Sequence, residues 1–129
     1  MGGLKTLFFA LFVVQATGAL AQAASGTQPH LRLFATCAGR LSASMEHLWL
    51  FDGPASDSTQ SARDQVLDLI AAVLPPGRET DVLAWQIEAK AAHANLLHRA
   101  VFNLDPNDAA WARRMADRHT AECWAFLLG

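Results

Sequence analysis

The chain has 129 residues with 10 basic and 12 acidic side chains, which gives a formal net charge of −2 and a charged fraction of 17%. This length suits one domain. A hydrophobic share of 52% argues against a chain that is disordered throughout. Without an excess of positive charge, the sequence offers no electrostatic basis for binding nucleic acid. We therefore expect one small folded domain that binds neither DNA nor RNA.

The amino-terminal residues are typical of a secretory signal peptide. Lys5 precedes an apolar run over 7–14, and small residues follow at the points where a signal peptidase would cut, before Gln22 or alternatively before Ala24. The run is much shorter than the roughly 20 residues of a membrane-spanning helix, so we expect no stable membrane anchoring after cleavage. The sequence predicts that residues 1–21 are removed and that the protein is exported, to the periplasm or out of the cell.

A first helix is predicted over 30–52, after a flexible amino terminus at 22–29 where the residues are small and polar. Apolar residues recur at three- and four-residue steps, which is the pattern of an amphipathic helix. Gly53-Pro54 is expected to end this helix, because glycine frees the backbone and proline lacks an amide proton. The predicted buried face consists of Phe34, Cys37, Leu41, Met45 and Leu48.

A second helix is predicted over 58–74, where Ser61 and Asp64 have the spacing of a capping box. Pro75-Pro76-Gly77 is expected to end it. Its predicted buried face consists of Ala62, Val66, Leu69, Ile70 and Val73.

The third and fourth helices are predicted over 79–103 and 106–128, with Asp105 as the amino-terminal cap of the fourth and Pro106 at its first position. Four helices joined by short connections favour an all-α fold, an up-down-up-down four-helix bundle in one domain over 30–129. The predicted buried faces are Leu83, Ile87, Ala91, Ala94, Leu97 and Val101 on the third helix, and Ala112, Met115, Ala116, Cys123 and Phe126 on the fourth.

The two cysteines are expected to form a disulfide. Export to an oxidising compartment favours pairing of Cys37 with Cys123. In an antiparallel bundle each lies roughly 8–11 Å from the same end, at 1.5 Å per helical residue, and both fall on predicted inward faces. The sequence therefore predicts a covalent link between the first and last helices.

Five histidines in an exported helical protein suggest a metal or haem site as the alternative function. Imidazoles and thioethers suit copper, and the candidate ligands are Met45, His93, Met115 and His119. The helical wheel places His119 near the centre of its buried face and His93 towards a flank. Their spacing matches no ligand motif, so we expect no metal.

A haem site has an architectural precedent in cytochrome b562, which this chain resembles as a helical bundle with a histidine late in the fourth helix, here His119. That family also needs a methionine near the start of the first helix, where this chain has Phe34 and Cys37. The motif Cys-x-x-Cys-His, which attaches haem covalently, does not occur. We therefore expect no cofactor.

A partner-binding surface is a further candidate. Trp85 and Trp111 lie off the predicted buried faces, and exposed tryptophans are common at protein interfaces. The fourth helix also carries a concentration of basic residues, Arg113, Arg114 and Arg118. They would either meet an acidic partner or anionic lipid or form a solvated face. If the tryptophans are exposed and adjacent, they mark a binding surface; otherwise they widen or cap the core.

Catalytic motifs do not occur in the sequence. It contains neither a Gly-x-Ser-x-Gly elbow nor a glycine-rich phosphate-binding loop. We expect a protein that is not an enzyme but an exported, non-catalytic binding or accessory module, whose partner and process the sequence leaves open.

Overall fold

Four α-helices with short connections make up the part of the chain that the computed structural model describes, which is residues 18–128, with side chains from residue 28 onward. No β-strand occurs within those residues. The prediction of an all-α bundle is confirmed. The helices are α1 (Gly18–Leu48), α2 (Gly53–Val73), α3 (Glu79–Phe102) and α4 (Pro106–Leu127).

Helix α1 begins earlier than predicted and includes the segment 22–29, for which we expected no regular structure. It is helical although Pro29 lies inside it, where a proline removes one backbone hydrogen bond. Alanine, the strongest helix former, occupies three of the positions in 21–24 and favours this extension. Most of the predicted signal peptide, residues 1–17, lies outside the described residues. Within the described part, no helix has the length and hydropathy needed to cross a membrane.

Helix α2 also begins earlier than predicted, at Gly53. The Asp52 carboxylate accepts a hydrogen bond of 3.0 Å from the Ala55 amide and caps the helix. Pro54 lies in the first turn, where the missing amide proton costs nothing because that amide has no partner within the helix. The glycine–proline pair that we expected to end the first helix therefore starts the second, and α1 ends at Leu48.

The remaining predicted helix ends agree with the structure. Helix α2 ends before the two prolines, and Gly77 takes a φ of +83° in the turn to α3, a backbone conformation that favours glycine. Asp105 caps α4 by accepting hydrogen bonds from the amides of Asn107 and Asp108. Pro106 occupies the first turn of α4, as predicted.

Helices α1 and α3 run parallel and approach most closely at Gly39. A Cβ atom added there would lie 2.3 Å from the carbonyl oxygen of Gln86 and 2.9 Å from the amide nitrogen of Lys90. Only glycine lets two helix backbones come this close. Ala35 and Ala43, each about one turn away on α1, are also buried, so small residues continue along this side of the helix.

Helix α1 lies at the centre of the arrangement. It packs against both α2 and α3, whereas no Cα atom of α2 lies within 8 Å of a Cα atom of α3 in the described chain. Helix α4 runs antiparallel to α1 and packs mainly against α3. As a result, α1 contributes most of the fully buried apolar side chains, including Leu31, Ala35, Cys37, Ala38 and Leu41.

The predicted buried face of α3 is wrong. Leu83 and Ile87 are 56% and 59% exposed, and Val101 is exposed as well. The buried residues of α3 are Val82, His93 and Ala100 instead. The error arises because α3 carries apolar residues on more than one side, and its orientation is set by the contact with Gly39 rather than by its largest side chains.

The predicted disulfide between Cys37 and Cys123 is confirmed, with a Cα–Cα distance of 5.4 Å. Both cysteines are fully buried. Next to the disulfide, the rings of Phe34 and Phe126 pack at a centroid distance of 5.5 Å. The disulfide and the aromatic pair therefore hold the carboxyl-terminal end of α4 against α1.

Replacing Gly39 with alanine should destabilise the fold by about 2 kcal/mol or more, because the new methyl group would collide with backbone atoms that cannot rotate away. Urea denaturation followed by far-ultraviolet circular dichroism measures this loss. Gly53→Ala is the matched control, since its added methyl group would meet nothing within 4 Å. Equal stability of the Gly39→Ala protein and the wild type would contradict the close contact.

Removing the disulfide should lower the free energy of unfolding by about 4–5 kcal/mol, because it closes a long loop in the unfolded chain. The two cysteines are 86 positions apart in sequence. Denaturation curves with and without a reductant measure the effect. The double variant Cys37→Ala/Cys123→Ala should give the same denaturation curve with and without the reductant. A reductant effect that persists in this variant would show that the loss of stability has another cause.

Candidate ligand-binding cleft

A cleft runs along one side of α1, between α3 and α4. Arg32, Thr36 and Arg40 form its floor; they follow one another at four-residue steps on α1 and therefore share one face. Its deeper part, the inner cleft, has a volume of about 180 Å³ and ends at His119 on α4. The α3 wall of the inner cleft consists of Trp85, Glu88, Ala89, Ala92, His93 and Leu96.

The cleft widens towards the amino-terminal part of α1. This outer cleft has a volume of about 590 Å³ and shares the floor residues and Trp85 with the inner cleft. Gln28 and Pro29 border it on α1, and Glu122 borders it on α4. Three helices therefore line a continuous open cleft, whose inner part has the size of a small organic molecule and whose outer part has room for a larger one.

His93 is the most buried histidine of the described chain, with 1% of its surface exposed. Its Nε2 atom lies 2.9 Å from the Ser44 hydroxyl of α1 and 3.4 Å from the Thr120 hydroxyl of α4. Its Nδ1 atom is buried and has no hydrogen-bond partner among the described residues. One imidazole on α3 thus connects the three helices that form the cleft.

Burial lowers the pKa of His93 to about 4, with further contributions from His119 and from the Arg40 guanidinium. The pKa of His119 is lowered as well, first by burial and then by Arg40, while Glu122 opposes the change. His93 is therefore neutral at pH 7. It lines the inner cleft without adding charge.

The two arginines of the floor are held in different ways. Arg40 is largely buried and forms an ion pair with Glu122 across the α1–α4 contact, with 3.1 Å between Nη1 and Oε2. The Arg32 guanidinium lies over the Trp85 ring at 5.3 Å from its centroid. Arg78 also lies over this ring, at 5.6 Å. Trp85 therefore holds Arg32 at the mouth of the cleft by cation–π attraction.

Two of the four candidate metal ligands come together. The rings of His93 and His119 lie 6.2 Å apart between centroids. Met45 lies elsewhere, with its sulfur 3.8 Å from the guanidinium of Arg63 on α2, and Met115 is half-buried on α4. Within residues 18–128, no group of three or more His, Cys, Asp or Glu side chains is placed to hold a metal ion.

The predicted partner surface does not form one patch. Trp85 is half-buried in the cleft wall, whereas Trp111 is 44% exposed beneath Arg99. Because α3 and α4 are antiparallel, the two tryptophans lie roughly 20 Å apart along the bundle. Arg113 donates a hydrogen bond to the Ala100 carbonyl, and it is exposed on α4, as are Arg114 and Arg118.

Sequence reasoning missed the floor of the cleft. Arg32, Thr36 and Arg40 read as the polar side of an amphipathic helix, and on most helices such residues face solvent. Two features of the sequence could have indicated that these residues face a neighbouring helix. They lie between small and apolar residues, and the predicted disulfide fixes their helix to α4. The helical wheel also put His93 at a flank, but the rotation of α3 places it in the core.

The pKa of His93 predicts that the protein loses stability as the pH falls from neutrality. Its pKa is 6.5 in the unfolded chain and about 4 in the folded protein, so between these values only the unfolded state takes up the proton. Its contribution is fully present above pH 6.5 and is lost as the pH falls, by roughly 3 kcal/mol at pH 4.

Urea denaturation at pH 7.5, 6, 5 and 4 measures this dependence. A His93→Gln variant, which carries no titrating ring at this position, should lose less stability over the same range. His98→Gln, an exposed histidine on the same helix, should behave like the wild type. Parallel losses in the wild type and in His93→Gln would contradict the assignment to His93.

Comparison with known proteins gave no match: no family model, no curated protein and no solved structure is similar to this chain. The chemistry of the cleft therefore has to be inferred from its own side chains and shape.

Proposed function

We propose that this chain is an exported, non-catalytic binding module and that the cleft between α1, α3 and α4 is its ligand site. The observation that carries the proposal is the composition of the cleft: three helices contribute arginine, threonine, tryptophan and histidine side chains to one open cleft. A space that combines apolar walls with a few convergent polar groups is typical of small-molecule sites.

Export is supported by the cysteine chemistry. The disulfide indicates an oxidising environment, because thiols stay reduced in the cytosol of most organisms. The predicted signal peptide is consistent with that environment, and we propose the periplasm or the extracellular space as the location. The membrane is not expected to hold the mature protein.

The Ser44–His93 pair supports binding rather than catalysis. A serine beside a histidine suggests a nucleophile and its base, but Ser44 is buried in the α1–α3 contact with 6% of its surface exposed. The Nδ1 atom of His93 meets no carboxylate that would orient the ring. With a pKa of about 4, the imidazole is also a weak base.

Metal binding is the second candidate, and the proximity of His93 and His119 favours it. Two neutral imidazoles offer lone pairs to a transition metal. The Arg40 guanidinium opposes a cation at this place, since it lowers the pKa of both rings by charge repulsion. Metal analysis and a visible absorption spectrum of protein from the native host would reveal a bound ion or haem.

Purified protein from the exported fraction should begin at Gln22 or Ala24 and should gain the mass of two hydrogens on reduction. Intact-mass spectrometry measures both properties in one sample. A chain that is found only inside the cytosol with two free thiols would contradict the proposed location.

Ligand binding should map to the cleft. Amide NMR spectra of the protein with a panel of single-ring compounds of differing charge should shift at the residues that line the inner cleft. Ala92→Trp fills the inner cleft and should abolish these shifts, whereas Ala91→Trp places the same ring on an exposed neighbouring position outside the lining. If no compound perturbs the cleft residues, the proposal is wrong.

A further inference from the structure

We propose that the cleft binds a small organic anion, with a carboxylate or phosphate group held between Arg32 and Arg40 and an apolar body packed against the α3 wall. This inference rests on the proposed function, because it names the chemical class of the ligand for the same cleft. Carboxylate and phosphate present the same chemistry to a guanidinium, two or more oxygens that accept paired hydrogen bonds.

The three floor residues place two cationic side chains on either side of a hydroxyl along one face of α1. At 1.5 Å per residue, the Cα atoms of Arg32 and Arg40 are about 12 Å apart along α1, with Thr36 midway. Arginine side chains are long enough for both guanidinium groups to contact one ligand above Thr36. The threonine hydroxyl is a third donor on the same face of the helix.

Both guanidinium groups keep donors for a ligand. Arg40 uses one nitrogen, Nη1, in its ion pair with Glu122. Arg32 forms no ion pair with any carboxylate of the described chain, and its stacking over Trp85 leaves the N–H groups at the edge of the guanidinium plane available. The contacts with Glu122 and Trp85 therefore position the arginines without saturating them.

The positive charges of the cleft lie on its α1 floor, where the anionic group is proposed to bind. The lining of the inner cleft carries two guanidinium groups and one carboxylate, that of Glu88, while the His93 ring is neutral at pH 7. Glu122 borders the outer cleft and forms an ion pair with Arg40, so Arg32 is the guanidinium of the cleft that has no carboxylate partner among the described residues. The two guanidinium groups would repel a cationic ligand, and a neutral ligand would form no ion pair with them.

The walls and the volume define the rest of the ligand. The wall of the inner cleft on α3 is partly apolar and includes Trp85, Ala92 and Leu96. A volume of about 180 Å³ accommodates one ring or a short chain but not a polymer. The ligand class is thus a compact amphiphilic acid, and the outer cleft is available to a longer substituent.

The test compares matched single-ring probes by NMR titration of the wild-type protein: benzoate, phenyl phosphate, benzyl alcohol and benzylamine. The two anions should bind the cleft at least about tenfold more tightly than benzyl alcohol or benzylamine, the gain expected from a charge-assisted hydrogen bond. The relative affinities of benzoate and phenyl phosphate identify which anionic group the site prefers.

Arginine variants test the assigned contacts. Arg32→Gln and Arg40→Gln should each weaken binding of the preferred anion by roughly tenfold, whereas Arg114→Gln, an exposed residue on α4 outside the cleft, should not change it. Arg40→Lys keeps the charge near Glu122 and should bind more tightly than Arg40→Gln. Glu88→Gln should strengthen anion binding, because it removes the one carboxylate of the inner cleft.

The outcomes separate the two proposals. If benzyl alcohol or benzylamine binds the cleft as tightly as the anions, the ligand class is wrong and the binding function stands. If none of the probes perturbs the cleft, both are wrong. An equal loss of affinity in Arg114→Gln and Arg32→Gln would also overturn the inference, since it would indicate general charge attraction rather than a specific site.

Discussion

The close approach of α1 and α3 at Gly39 is the constraint on which the rest of the structure depends. With no side chain at this position, the backbones of Gln86 and Lys90 come within contact of α1. This contact fixes the rotation of α3 and so decides which of its residues are buried. It turns His93 towards Ser44 and leaves Leu83 exposed, although leucine has more to gain from burial than histidine.

The packing of α3 and α4 against α1 leaves a cleft beside α1. Helices α1 and α3 are parallel, and α4 returns antiparallel along α3, where Cys123 is bonded to Cys37. The disulfide and the Arg40–Glu122 pair hold α4 at one level against α1. Towards the amino-terminal part of α1 the three helices leave the outer cleft open. The covalent bond thus fixes α4 against α1 at a level within the span of the cleft.

The predictable parts of this fold are those that local chemistry determines. Asp105 and Pro106 favour a helix start through local capping, and the Pro75–Gly77 turn favours a helix end, so these boundaries agree. The pair Gly53-Pro54 is ambiguous, because glycine and proline can follow the end of one helix or stand in the first turn of the next. The Asp52 cap places them in the first turn of α2. The rotation of α3 depends on a single glycine in a different helix. No pattern within α3 itself contains that information.

The candidate site was predictable to a lesser degree for the same reason. His93 and His119 stood out by residue type, but their proximity depends on the register of α3 against α4. That register is seen in the contacts of Arg99 with Asp108 and of His93 with the Thr120 hydroxyl, which the sequence alone does not give. Arg40 is the clearest case. On the sequence it is one of ten basic residues. In the fold it is largely buried, pairs with Glu122 next to the disulfide and lowers the pKa of two histidines. Each of these contacts joins α1 to another helix, so the sequence of α1 alone could not predict them.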